Sequence, residues 1–462
     1  MIFRAVLVVA LILLASCERL PDYTSAEDGE QFAGGETTFS ALNPLEYQSR
    51  DAYSQPASNL SLAERQLFSV GNSFFTQPWV SAPSSVSARD GLGPLYNAAA
   101  CQDCHLRDGR GLPATMTGAT SSLVKIAVDG KQPDPHYGDQ LQTRALLGIT
   151  PEAKLTVSWS VTPYILPDGE KHLLRRPEIH LSELAYGELS KTAALGLRVA
   201  PPMIGLGLLE NISADEIKAS ADPEDRDGDG ISGRINTVID LASQQQALGR
   251  FGWKAAQPSV HQQTLVALAN DMGITSAIIP QSTCTPAQNT ACAKAYSDSE
   301  PELEAPIEKA LVFYASHLAV PMRRWYNTEE VLQGKRLFHQ FGCAACHRPS
   351  WTTVNSSENP ALSQQKIWPY TDLLLHDMGD ELADGISEFS ASGSEWRTPP
   401  LWGIHLSQSV SGKHSGFLHD GRARTFEEAI LWHGGEAQAA RDAWANAPKA
   451  QREFLIWFLK TL

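Results

Sequence analysis

Apolar residues follow different periods in different parts of this chain, and the changes of period divide it. Ala5 to Leu14 is an unbroken apolar run behind Arg4. From Glu18 to about Asn59 no apolar period is sustained, and Gly, Ser, Thr, Ala and acidic residues dominate, the pattern of a tether. Ser61-Leu-Ala-Glu64 reads as a capping box that opens a helix, although Leu62, Gln66, Phe68 and Val70 define its face poorly. Between 153 and 181 the period falls to two. Leu155, Val157, Trp159 and Val161 alternate with polar residues, Pro167-Asp-Gly-Glu170 makes a turn, and Leu173, Leu174, Ile179 and Leu181 follow, so a β-hairpin is expected.

Residues 198–210 are almost all apolar and include small residues that allow close backbone approach. Ser213 to Glu216 then caps another helix. Glu302 to Leu318 carries Leu303, Ile307, Ala310, Leu311 and Tyr314 on one helical stripe, which Pro321 and Arg323-Arg324 end. Thr425 and Glu428 cap a helix stopped by Gly434-Gly435, with Phe426, Ala429, Ile430 and His433 on one face. A last helix spans Gln451 to Lys460. The expected plan is mainly α: a leader at 1–17, a tether at 18–59, a first domain at 60–322 holding the β-hairpin, and a second domain at 323–462.

With 462 residues the chain is long enough for two or three cores. A net charge of -15 argues against nucleic acid and against charge-driven binding to anionic lipid, while suiting a small basic electron donor. Cysteine use changes the picture more. Leu14-Ala-Ser-Cys17 follows the apolar leader and resembles the lipobox of bacterial lipoproteins. The expectation is a lipid on Cys17 that anchors the folded chain on the periplasmic side of a bacterial membrane, the outer one, with an ordinary signal cleaved nearby as the alternative. Cys284 and Cys292 stand in one Thr/Ala/Gln-rich loop and read as a disulfide, with two free thiols as the alternative.

The remaining four cysteines form Cys101-Gln-Asp-Cys104-His105 and Cys343-Ala-Ala-Cys346-His347. C-x-x-C-H is the attachment signal of a c-type haem. The two thiols join one edge of the porphyrin, and the next residue puts its imidazole beneath the iron. With 7 Cys and 13 His, chance would supply about 0.003 such motifs per chain. Zinc and thioredoxin-like readings are weaker, because each pair has its own following His and no further pair completes a four-ligand set. Two covalent c-type haems are the expected cofactors, in two cytochrome c-like domains. Asp225, Asp227 and Asp229 precede Gly230 and Ile231 in the first half of a calcium-loop pattern, but Asn236 replaces the bidentate Glu at the twelfth position. A cation site weaker than an EF-hand, for calcium, is expected there, with a solvated acidic turn as the alternative.

These motifs carry a resemblance. Gly249-Arg-Phe-Gly-Trp-Lys254, Asn270-Asp-Met-Gly-Ile-Thr275, Gly342 to His347, Leu375-His-Asp-Met-Gly379, Trp396-Arg-Thr-Pro-Pro-Leu-Trp-Gly403 and Leu431-Trp-His-Gly-Gly435 resemble the di-haem oxidoreductase family, also labelled thiol oxidoreductase-like. That family is related to the bacterial di-haem cytochrome c peroxidases and the di-haem enzyme of methylamine utilisation. The resemblance implies one six-coordinate haem that accepts electrons and a second that opens a site for peroxide. It also implies a sixth ligand, Met or Tyr, fourteen residues after the His of Phe417-Leu-His-Asp-Gly-Arg422. Here that position is His433, on the apolar face already described, with Met378 as the runner-up.

For the first haem His136, His172, His180, Met203, His261, Met272 and His317 are available as distal ligands. Glu210, at the end of an apolar run, is the candidate proton-transfer residue, and Gln142 the candidate for holding a distal water. The expected function is an exported di-haem oxidoreductase of peroxidase type. Electrons would come from a donor protein or quinone-linked chain, enter at His347 and reach a small oxidant such as hydrogen peroxide at His105. The alternatives are a non-catalytic electron relay and an enzyme that oxidises a protein or metal substrate in iron uptake.

Overall fold

The computed structural model describes residues 25–39, 50–114, 121–295 and 301–462. The leader, Cys17 and residues 18–24 and 40–49 of the expected tether lie outside the described residues; 25–39 and 50–59 are packed rather than free, with Ala33 and Tyr53 in the apolar cluster of Ile204 and Trp402. Two helix pairs organise the rest, and each is built on the same local device. The helix Leu62–Thr76, opened by the Ser61/Glu64 capping box, crosses the helix Ala305–Ser316. They touch at Gly71, where an added Cβ would stand 2.1 Å from the Ala310 carbonyl oxygen. One turn later Phe75 meets Tyr314 at 5.2 Å between ring centroids.

The helix Glu329–Gln340 crosses Lys449–Leu459 in the same way. Gly334 would bring a Cβ 2.1 Å from the Phe454 carbonyl oxygen, and Phe338 meets Phe458 at 5.3 Å. Both pairs thus need a glycine at the crossing and an aromatic four residues on. Each aromatic then leans toward the histidine of a C-x-x-C-H turn, Phe75 at 6.1 Å from His105 and Phe338 at 6.4 Å from His347.

The mainly α expectation overstates the helix content. Helices make up 29% of the chain and strands 18%, the strands in small sheets. The chain carries 34 Gly and 28 Pro, residues that interrupt regular elements, so most of it runs as turns and extended connections held by tertiary contacts. The strands form two-stranded antiparallel ladders. The longest is the expected hairpin, Lys154–Ile165 with Lys171–Ser182, in register Leu155↔Leu181 and Val157↔Ile179. A second ladder, Ser122–Val128 with Ala193–Val199, has no strong alternation in sequence because it is covered on both faces, Gly196 to Val199 being buried one after another.

The hairpin reaches further than its own core. Leu166 and Leu174 at its tip enter the apolar cluster of Val331, Phe338, Trp444 and Leu455. Arg452 grips the turn through Asp168 (2.5 Å) and Glu170 (3.0 Å), and Arg175 donates to the carbonyls of Gly421 and Arg422. At its other end Leu155 and Val157 pack with Val124, Ile126 and Leu197, so the insertion ties that part of the chain to the second helix pair. Among the described residues no helix is long and apolar enough to cross a membrane.

Candidate haem centres

The first centre begins with a single helical turn, Cys101–Cys104, whose carboxyl end presents His105. His105 Nδ1 lies 2.9 Å from the Pro201 carbonyl oxygen, so that nitrogen carries the proton and Nε2 is left as a donor to a metal. Burial holds the ring neutral, with its pKa lowered to about 4. Both thiols are unpaired. Beside them opens a cavity of about 270 Å³. Its walls come from segments far apart in sequence: 98–105, 198–209, 251–272 and 397–402.

The second centre repeats this plan. Gly342, at φ +86°, turns the chain into Cys343–Ala345, and His347 follows Cys346. His347 Nδ1 sits 2.9 Å from the Tyr370 carbonyl oxygen, and its pKa is lowered to about 4, chiefly by burial and further by His433. His433 thus lies within electrostatic reach of His347. Its own Nδ1 is taken by the Ala429 carbonyl at 2.7 Å, which leaves Nε2 free. The helix that presents it, Phe426–Leu431, is capped by Thr425 as its sequence predicts.

These residues fit haem. Each centre offers two unpaired sulfurs and a neutral imidazole with a free Nε2. The first cavity supplies a further match. Arg110 and Arg397 line it and are buried, yet their side chains hydrogen-bond only to backbone carbonyls, Gly416 and Leu418 for one, Gly252 and Thr398 for the other. Asp420 and Asp372 act on them only from beyond hydrogen-bond reach, and buried cations that bond no carboxylate suit an anionic ligand; haem brings two propionates.

The other sequence candidates are not gathered here. Glu210 does not line the cavity. Its carboxylate accepts from the Val260 amide at 2.8 Å and caps the helix Val260–Met272; burial raises its pKa as the apolar run suggested, but in a helix-capping place. Gln142 is buried between Asn97 and the Asn270 carbonyl, also away from the cavity wall. Of the seven candidate distal ligands, Met203 and Met272 line the cavity. His136, His172, His180, His261 and His317 are held elsewhere, by Asp134, Glu170, Ser158, Glu308 and the Phe313 ring.

Asp225, Asp227 and Asp229 converge to within 4.8 Å of one another, but Asn236 turns into the core and bonds the Lys254 and Glu388 carbonyls. The EF-hand geometry is not completed, because its twelfth position serves packing instead. Cys284 and Cys292 are joined as a disulfide.

Sequence reading missed three groups. Asp271 lines the first cavity, held by Gln140 Nε2 at 2.6 Å, and burial raises its pKa to about 6. Trp253, also on the cavity wall, packs with Val199, Trp396 and Met378 between the two centres. His376 lies against Cys346. All three lie in stretches that carry the family resemblance, but no spacing rule gives their roles, since each depends on chain segments meeting in space.

Two C-x-x-C-H turns, each ending in a histidine that burial keeps neutral, have the donor sets of a di-haem protein. A family model described as "Di-haem oxidoreductase, putative peroxidase" matches residues 25–131 and 133–462, and the chain belongs to that family. It is therefore a haem-dependent oxidoreductase. No curated protein matches it. Among solved structures, hydrazine synthase of Kuenenia stuttgartiensis pressurised with xenon aligns over 100% of both chains at 12% identity, with a TM-score of 0.31, a likeness too slight to carry argument.

Proposed function

We propose that the chain is an exported di-haem c-type oxidoreductase of peroxidase type. Cys101 and Cys104 hold one haem covalently and Cys343 and Cys346 the other, in two cytochrome c-like domains. The observation that carries this reading is an asymmetry. His347 has a second imidazole, His433, in its neighbourhood, whereas among the described residues no second histidine lines the cavity at His105. Held at these residues, the haems would supply one-electron chemistry, with electron entry at the His347 centre and, at the His105 centre, hydrogen peroxide becoming two waters at the cost of two electrons and two protons.

The chain's own part at the first centre is the proton. Two carboxyls line the cavity, Glu388 and Asp271. Burial works against the charge on Glu388, but Arg198 outweighs it and holds the pKa low. Asp271 has only the neutral Gln140 as a side-chain partner and keeps a proton to about pH 6, so it is the group fitted to protonate the bound oxidant. An acid works while protonated, so turnover should fall as pH rises through about 6. Asp271→Asn should slow the peroxide step about 100-fold and flatten that profile.

The test of the function itself is optical: stoichiometric hydrogen peroxide should alter the spectrum of the reduced protein. Two low-spin haems indifferent to peroxide would instead favour an electron relay. Covalent attachment has a separate measurement. Cys104→Ala should disturb attachment at the first turn alone, read as altered haem mass on the peptide carrying Cys101, with the Cys343 peptide unchanged.

Export through the leader and a lipid on Cys17 at the periplasmic face completes the proposal. The Cys284–Cys292 disulfide supports an oxidising compartment, and the acidic chain suits a small basic electron donor.

A further inference from the structure

His376 is 3% exposed, and both of its ring nitrogens face carboxylates. Nε2 lies 2.8 Å from Asp372 Oδ2 and Nδ1 lies 2.7 Å from Glu436 Oε2. A neutral imidazole has one N–H and can satisfy only one such partner, so two carboxylates at these distances require the doubly protonated, charged ring. Burial works against that charge. The bonds to Asp372 and Glu436 oppose it and raise the pKa above that of a free imidazole.

The charge is also fixed in place. Glu436 accepts from the Ser232 amide (3.0 Å), the Ser232 hydroxyl (2.8 Å) and the Asp377 amide (3.1 Å). Asp372 accepts from the Leu374 amide at 2.9 Å, and its own amide donates to the Cys346 carbonyl at 3.0 Å. Gly233 closes over the ring: a Cβ there would stand 2.7 Å from His376 Cε1. So clamped, Nδ1 lies 3.6 Å from Cys346 Sγ. Arg348 and Arg397 face Asp372, and Arg234 faces Glu436.

We infer that His376 is a positioning residue whose fixed positive charge, held against the Cys346 sulfur, raises the reduction potential of the haem carried at His347. This rests on the reading that a haem is attached at Cys343 and Cys346. Reduction adds one negative charge to that group. A cation at its sulfur edge, in surroundings too dry to screen it, favours the reduced form. The two carboxylates oppose it, so the members of the trio act with opposite signs.

Those signs make the test. Haem content of the full-length protein is measured first by mass, and each haem is then titrated spectroelectrochemically. His376→Gln should lower the potential of the His347 haem by on the order of 59 mV, a tenfold loss in a one-electron equilibrium constant, and leave the other haem in place. Glu436→Gln keeps an acceptor for Nδ1 and should raise the same potential. A merely structural role would not give opposite shifts. If His376→Gln does not fold, a rise in Glu436→Gln still supports the inference and an unmoved potential overturns it. Shifts of the same sign in both variants also overturn it. Parent protein without haem on the Cys343 peptide overturns the functional reading instead, so the two failures are distinct.

Discussion

His433→Ala is expected to leave both haems attached while one loses its low-spin spectrum. Attachment uses Cys343 and Cys346, which the substitution does not touch. Under the proposed function the sixth position at the His347 haem falls to His433, for two separate reasons. It stands fourteen residues after His419, where the resemblance read from the sequence implies a ligand, and its Nδ1 is engaged by Ala429, which points the free nitrogen away from its own helix. Burial also keeps that ring neutral, the form in which imidazole binds metal. Electron entry at this centre should suffer, and turnover with peroxide should fall at least tenfold, the loss seen when even outer partners of a metal ligand are removed. The measurement is electron spin resonance beside turnover. An unaltered low-spin signal would pass the role to Met378, which packs with the Trp253 and Trp396 rings.

The second large effect concerns the scaffold. Judged by helix propensity alone, Gly334→Ala should stabilise the Glu329–Gln340 helix by about 1 kcal/mol. The crossing reverses the sign. The new methyl would meet the Phe454 carbonyl oxygen at 2.1 Å and Phe458 Cβ at 2.6 Å, both fixed parts of the facing helix. The helices must move apart, and overpacking of this kind costs about 1–3 kcal/mol, more where backbone is struck. A net loss of about 2 kcal/mol should appear as a lower denaturant midpoint. Gly71→Ala should behave alike, since its methyl would meet the Ala310 carbonyl oxygen at the same 2.1 Å. Gain of stability at either position would mean that the pair does not cross in solution as described.

What the sequence determined by itself lies within a few residues of chain. Two C-x-x-C-H turns, the Ser61 and Thr425 caps, the hairpin at 153–181 and the Cys284–Cys292 pair all depend on short spacings, because covalent geometry and local hydrogen bonds set them. His433 could be named as a candidate because a helical face and a motif offset coincide. The mainly α expectation failed where Gly- and Pro-rich segments are shaped by what they pack against rather than by their own propensity.

Tertiary structure alone decided the surroundings of each centre. Glu210 and Asp271 are both carboxyls raised by burial, yet one caps a helix and the other lines the cavity. Apolar neighbours in sequence predict burial but not what a group is buried beside. The same limit hid His376, whose charge is set by Asp372, Glu436 and the closing backbone at Ser232 and Gly233. Proton affinity is a property of the partners that meet in the folded chain, and those partners come from three segments that no sequence period connects.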